Sequence, residues 1–113
     1  MHELSIAMNI IEIAAEEKNK AGGGAIQSVE LEVGTLSGVV VDALQFALEV
    51  SVKGTVLEHA KIDIHPVEAT ASCNRCGLSF PVGDLFTSCP HCQSFDTRLV
   101  SGGELRFRSF ILE

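Results

Sequence analysis

Cys73-Asn74-Arg75-Cys76, then twelve residues, then Cys89-Pro90-His91-Cys92: this stretch decides how the chain is organised. Two residues between thiols let both sulfurs of a pair reach one ion from a tight turn. Two such pairs make a soft tetrahedral donor set that favours zinc. Gly77 follows the first pair and Pro90 stiffens the second, as such turns prefer. Around the pairs, over residues 68–102, the sequence is turn-rich with little periodicity. Such a stretch buries too little apolar surface to fold unaided, so a metal must hold it together.

Three roles are compatible with four thiolates at this spacing. The first is a structural zinc ribbon, whose closed four-sulfur shell leaves no position for a reacting water. The second is an iron site of rubredoxin type. The third is a structural site that can adjust, for example by His91 exchanging for a thiolate; otherwise His91 is an exposed turn residue.

Outward from this module the periodicity returns. On its N-terminal side, residues 61–65 (Lys-Ile-Asp-Ile-His) alternate as a strand, and Pro66 confines that strand to an edge or an end. Further upstream, Val29-Glu30-Leu31-Glu32-Val33 alternates strictly, as a half-buried strand does. A turn over 34–38 separates it from a helix over 40–52, with Val40, Leu44, Ala47, Leu48 and Ser51 on one stripe and Gly54 closing it. Residues 4–18 have helical spacing: Leu4, Ala7, Met8, Ile11, Ala14 and Ala15 share a face that Ile10 and Ile13 widen. Gly22-Gly23-Gly24 ends that helix. On the C-terminal side, residues 104–112 read as a last strand. The organisation that follows is an α/β core, residues 1–67 plus 103–113, with a metal module, residues 68–102, inserted before its final strand.

The beginning of the chain carries a second donor set. Methionine is poorly trimmed before a residue as large as histidine, so Met1-His2-Glu3 offers an amine, a backbone amide and an imidazole in a row. Three such nitrogens close two fused chelate rings around one ion, and planar amine and amide donors suit Ni(II) or Cu(II). Glu3 can supply a fourth ligand. Binding must displace protons, so affinity should fall as pH drops through the imidazole pKa of about 6.5. On the residues alone, a second-position histidine is more often a solvated chain end, and Glu3 a first-turn residue complementing the helix dipole.

Composition excludes several classes. The chain is 46% apolar and 20% charged, which is globular rather than disordered. Its formal charge of −7, with only eight Lys and Arg, argues against nucleic acid, because Arg75, Arg98, Arg106 and Arg108 are too few and too scattered to track phosphates. No apolar run is long enough to span a membrane, and no signal peptide is visible. Cysteines paired as C-x-x-C in such a chain read as metal ligands, not disulfides, and the expected location is cytoplasmic. No nucleophile with a base, and no open metal beside a general base, stands out, so the reading is not an enzyme.

Met1-His2-Glu3-Leu4-Ser5, the segment Val33-Gly34-Thr35-Leu36-Ser37 and the two cysteine pairs together resemble the HypA/HybF family, nickel-insertion accessory proteins of [NiFe]-hydrogenase maturation. The similarity spans nearly the whole chain. It implies nickel at Met1, His2 and Glu3, and zinc at Cys73, Cys76, Cys89 and Cys92. It implies Ni(II) as a labile cargo and Zn(II) as a structural or regulatory ion. It also implies delivery to the hydrogenase large-subunit precursor in concert with a maturation GTPase; some relatives serve urease maturation as well. The implied fold class is α+β: a small mixed α/β nickel domain, two helices on a mainly antiparallel three-stranded sheet, with an inserted zinc-ribbon-like module. Some members carry an acidic residue just before the second helix. Counting places that position near Val40, two residues before Asp42, which leaves Asp42 outside the implied ligand set. His59 and His65 read as surface or packing residues. A monomer and a homodimer are both compatible with this reading. The competing function is a zinc-ribbon adaptor that recruits a protein or RNA and carries no mobile metal.

Overall fold

The structure is a computed structural model that describes residues 2–84 and 86–112, with only the backbone of His2. Its elements are α1 (His2–Lys20), β1 (Ile26–Gly34), α2 (Val41–Ser51), β2 (Lys61–Val67), β3 (Thr70–Cys73), β4 (Ser79–Pro81), β5 (Thr97–Ser101) and β6 (Leu105–Leu112). They form two three-stranded sheets, ordered β2-β1-β6 and β4-β3-β5. The radius of gyration is 17.3 Å, against about 13 Å for a compact chain of this length, so the two sheets lie extended rather than stacked. Among the described residues no helix is long and apolar enough to cross a membrane.

β1 is the centre of the first sheet because its alternation leaves one whole face apolar. Val29, Leu31 and Val33 are buried. They meet Leu44, Ala47 and Leu48 of α2 and Ala7, Ile10 and Ala14 of α1 in one core, with Phe107 and Phe110 of β6 packed against it. Truncating a leucine in such a core costs about 2–5 kcal/mol. The sheet is evenly mixed, and this corrects the expectation of mainly antiparallel pairing. β2 runs parallel to β1, with Val29 opposite Ile62 and Leu31 opposite Ile64. β6 runs antiparallel, with Val29 opposite Phe110 and Leu31 opposite Phe107. The reason is α2: a strand that returns through a crossover helix re-enters its sheet in the same direction. Pro66 is accommodated because β2 is an edge strand.

The expected apolar face of α1 is also corrected. Leu4 and Met8 are exposed, and the face in the core runs through Ala7, Ile10 and Ala14. A helix apolar over so much of its circumference does not declare which side its neighbours will cover. Its contacts with α2 and β6 select the side that carries Ile10 between two alanines, Ala7 and Ala14.

The second sheet contains β3, β4 and β5, short strands with no clear alternation to announce them. Its pairings are all antiparallel, with Ala71 opposite Phe80 and Leu99. It encloses a separate small core of Ala69, Ala71, Cys73, Phe80, Val82 and Cys89. Leu36, from the loop after β1, packs against this second core. The same loop ties the sheets together through its backbone. Thr35 N–H donates to Val67 O at 2.9 Å and Leu36 N–H to Gly102 O at 2.9 Å. Thr35 Oγ1 accepts from the Ala69 N–H at 3.0 Å.

Candidate metal centres

Each cysteine pair is built on the same backbone knuckle. Cys73 N–H donates to Leu78 O and Gly77 N–H to Cys73 O, at 2.8 and 2.9 Å. In the second pair Cys89 N–H donates to Ser94 O and Gln93 N–H to Cys89 O, both at 2.8 Å. The residue after each second cysteine turns the chain back through positive φ: Gly77 at 80° and Gln93 at 60°. Glycine adopts that conformation freely, whereas glutamine does not.

The two knuckles face each other and gather four sulfurs that lie within 4.8 Å of one another. Cys73 Sγ is 3.6 Å from Cys92 Sγ, and Cys76 Sγ is 3.6 Å from Cys89 Sγ. A tetrahedral zinc with arms of about 2.3 Å needs sulfur–sulfur edges of about 3.8 Å, so the set fits the ion. All four cysteines are free thiols. Cys73 and Cys89 are buried, while Cys76 and Cys92 are exposed. The amides of Cys76 and Arg75, each 3.4 Å from Cys73 Sγ, bring that thiol down to about 6. At Cys76 the Leu78 amide lowers the pKa, but burial and the three neighbouring thiols outweigh it and push the group up to about 12. The knuckle amides thus favour thiolates at Cys73 and Cys89, while the crowding of sulfurs raises Cys76 and Cys92, and the set calls for a cation. His91 is exposed, and the gathered ligand atoms are the four sulfurs without its imidazole.

Of the N-terminal set, Met1 and the His2 side chain lie outside the described residues. Glu3 is described. Val40 N–H donates to Glu3 Oε2 at 3.4 Å, across 37 residues of sequence. Val40 is the N-cap of α2 and has no side-chain cap hydrogen bond. The Glu3 carboxylate therefore sits at the positive end of α2, where a negative charge is favoured. Asp42 lies in the first turn of the same helix. This juxtaposition was not legible in the sequence, since neither residue signals the other. His65 is placed away from this end, in β2, where its Nε2 is 3.0 Å from Glu30 Oε1. His59 is exposed beside Glu58, at 3.8 Å.

The open face of the first sheet is polar. Ser109 Oγ donates to Glu30 Oε2 at 2.9 Å, and this hydrogen bond, followed by that of His65, holds the Glu30 carboxyl below 4.5. Glu32 lies 4.0 Å from Arg106 Nη1 and 3.8 Å from Arg108 Nε. These half-exposed pairs tie β1 to its neighbours and gather no further metal set among the described residues.

Comparison with known proteins gives a consistent result. Residues 1–112 match the family described as hydrogenase/urease nickel incorporation, metallochaperone, hypA. The chain is 42% identical over 113 residues to the hydrogenase maturation factor HypA of Parabacteroides distasonis, covering 100% of this chain and 98% of that one. It is 39% identical to the HypA of Chlorobaculum tepidum, with both chains covered in full. In fold it is similar to the solution structure of the nickel metallochaperone HypA from Helicobacter pylori, with a TM-score of 0.72 at 22% identity over 97% of this chain and 96% of that one. The match along the whole chain shows that this protein belongs to the HypA family of hydrogenase maturation factors.

Proposed function

We propose that this chain is a nickel metallochaperone of the cytoplasm that holds Ni(II) at its N-terminus and hands it to the large subunit of a [NiFe]-hydrogenase during maturation. The amine of Met1, the backbone amide and imidazole of His2, and a donor from Glu3 form the cargo site. Cys73, Cys76, Cys89 and Cys92 hold Zn(II). The working division is a nickel-binding unit, residues 1–67 plus 103–113, and a zinc-binding unit, residues 68–102. A maturation GTPase acts with it, and urease maturation factors are further partners in the same class of reaction.

The observation that carries this reading is the placement of Glu3 on the α2 amide end. A chelate on a bare chain end must be ordered from a flexible ensemble each time it binds. Here the third residue is already held against Val40, so part of that ordering cost is met in advance. The positive helix end complements the negative charge of the carboxylate beside the cation site. The imidazole must lose its proton to bind, so acid releases the ion.

The two metals differ in their expected retention. Zinc, when bound, cross-links the two knuckles, a contribution of about 10–16 kcal/mol in small zinc peptides. The N-terminal set is few-toothed and built from three consecutive residues, so its ion exchanges. None of these groups presents an open metal beside a general base, which is why binding and transfer, not catalysis, is the reading.

The test is a Ni(II) titration of tag-free, zinc-quantified protein by calorimetry. The parent should bind about one nickel per chain, and His2→Ala should lose it while retaining one zinc. Equal nickel binding by both proteins would overturn the N-terminal site. The alternative, a zinc-ribbon adaptor, draws its support from Phe86 and Phe95, which are 85% and 74% exposed on the cysteine module. On that reading removal of residues 1–3 leaves function intact.

A further inference from the structure

The outer side of the α1–α2 pair carries apolar surface that the core does not use. Leu4 is 41% exposed, Met8 58%, Phe46 68% and Val50 56%. Leu4, Phe46 and Val50, with Ala43, Ala47 and Glu3, line a groove of about 340 Å³ between the helices. Exposed apolar side chains scattered singly need no explanation, but a groove lined by them on two neighbouring helices does. Met8, one turn from Leu4 on α1, adds an adaptable side chain to the same stripe.

Among the described side chains, the charges around this groove are acidic. Glu3 lines it. In α2, Asp42 and Glu49 stand four residues before and three residues after Phe46, on the same side of the helix, and α2 contains no Lys or Arg. In α1, Glu12 follows Met8 by one turn, and the first Lys or Arg is Lys18, far along the helix. This rim selects among possible occupants. A second copy of the chain would bring the same acidic rim against itself in a two-fold contact. An anionic lipid surface would be repelled. An amphipathic helix with apolar anchors and basic flanks matches both the groove and the rim.

We propose that the α1–α2 groove is the docking site for a basic amphipathic helix of a partner protein. The anchors of that helix enter between Leu4 and Phe46, and its Lys or Arg residues meet Glu3, Asp42 and Glu49. Because Glu3 belongs both to this rim and to the proposed cargo site, the docked helix covers the N-terminus. That consequence alone rests on the nickel reading; the docking itself does not.

The test uses zinc-loaded, nickel-free protein and a dye-labelled synthetic helix of leucine and lysine, followed by fluorescence anisotropy at 150 mM salt. A leucine–glutamate helix of the same pattern is the comparison. The leucine–lysine helix should bind at least tenfold more tightly than the leucine–glutamate one. Phe46→Ser should weaken it tenfold or more, and Phe86→Ser, on the cysteine module, should change it less than twofold. Phe46 is exposed, so its variant should keep the parent's far-ultraviolet circular dichroism. Binding that Phe46→Ser leaves unchanged would reduce the effect to charge attraction by an acidic protein and overturn the proposal. Concentration-dependent dimerisation abolished by Phe46→Ser, or Phe46-dependent binding to phosphatidylglycerol vesicles, would assign the groove to another occupant and also overturn it. Because nickel is absent throughout, failure here is distinct from failure of the cargo site.

Discussion

Gly34 and Gly102 meet backbone to backbone where the two sheets join: a Cβ on Gly34 would overlap the Gly102 carbonyl. Gly102 in turn has a φ of 82° and lies so close to Ala69 that a Cβ there would strike its backbone. The close approach lets Leu36 reach the second core while its N–H bonds Gly102 O. Gly34→Ala and Gly102→Ala should each destabilise the zinc-loaded protein by about 2–4 kcal/mol, from overpacking in both and left-handed strain at Gly102. Urea unfolding measures this, and a loss below about 0.5 kcal/mol in both variants would contradict the junction as described.

The matching knuckles give a prediction with opposite signs. Gly77 and Gln93 hold equivalent positive-φ positions, but only one is glycine. Gly77→Ala should cost about 1–2 kcal/mol, the usual penalty for a left-handed non-glycine residue. Gln93→Gly should be neutral or stabilising by up to about 1 kcal/mol, as relief of that strain is partly offset by unfolded-state entropy. Thermal unfolding of zinc-loaded protein compares the two.

Zinc binding should release protons in a number set by the knuckle electrostatics. Cys73, lowered to about 6, is mostly thiolate at neutral pH, whereas Cys76, raised to about 12, is protonated. Each thiol protonated in the metal-free chain makes the apparent affinity fall about tenfold per pH unit of acidification. Zinc titrated into metal-free protein at pH 7 should therefore displace fewer than four protons, read from calorimetry in buffers of different ionisation enthalpy. Chelating the zinc should loosen the β3–β5 sheet, seen as faster amide exchange there, while the α1–β1–α2 core keeps its protection.

On the open face of the first sheet, Ser109 is the main group that lowers the Glu30 pKa. Its hydroxyl holds the Glu30 carboxyl below 4.5 in the folded chain. A carboxyl lowered by folding stabilises the protein above its unfolded pKa, and that contribution is lost as pH falls through the folded value. Ser109→Ala should raise the Glu30 pKa toward 4.5, observed by carboxyl NMR titration, and reduce the stability lost between neutral and acidic pH.

Much of this architecture was legible in local patterns. The alternation of Val29, Leu31 and Val33 specified a half-buried strand, because only one face of a period-two segment can be apolar. The stripe of Leu44, Ala47 and Leu48 specified α2 for the same reason at a period of 3.6. The spacing of Cys73, Cys76, Cys89 and Cys92 announced a gathering of four sulfurs, since a tight turn brings both thiols of each pair to a common point.

What only the tertiary structure decided depends on residues far apart in the chain. Ala7, Ile10 and Ala14 face the core, and Leu4 and Met8 do not, because α1 is apolar over a wide arc and its neighbours chose the side. The parallel pairing of β2 follows from the crossover through α2, and the short strands β3, β4 and β5 exist through pairing with one another rather than through any periodicity. Glu3 meets Val40 because helix packing brings the start of α1 to the start of α2. Periodicity and spacing report what a segment can do by itself; which face is covered and which termini meet are set by the packing of the whole.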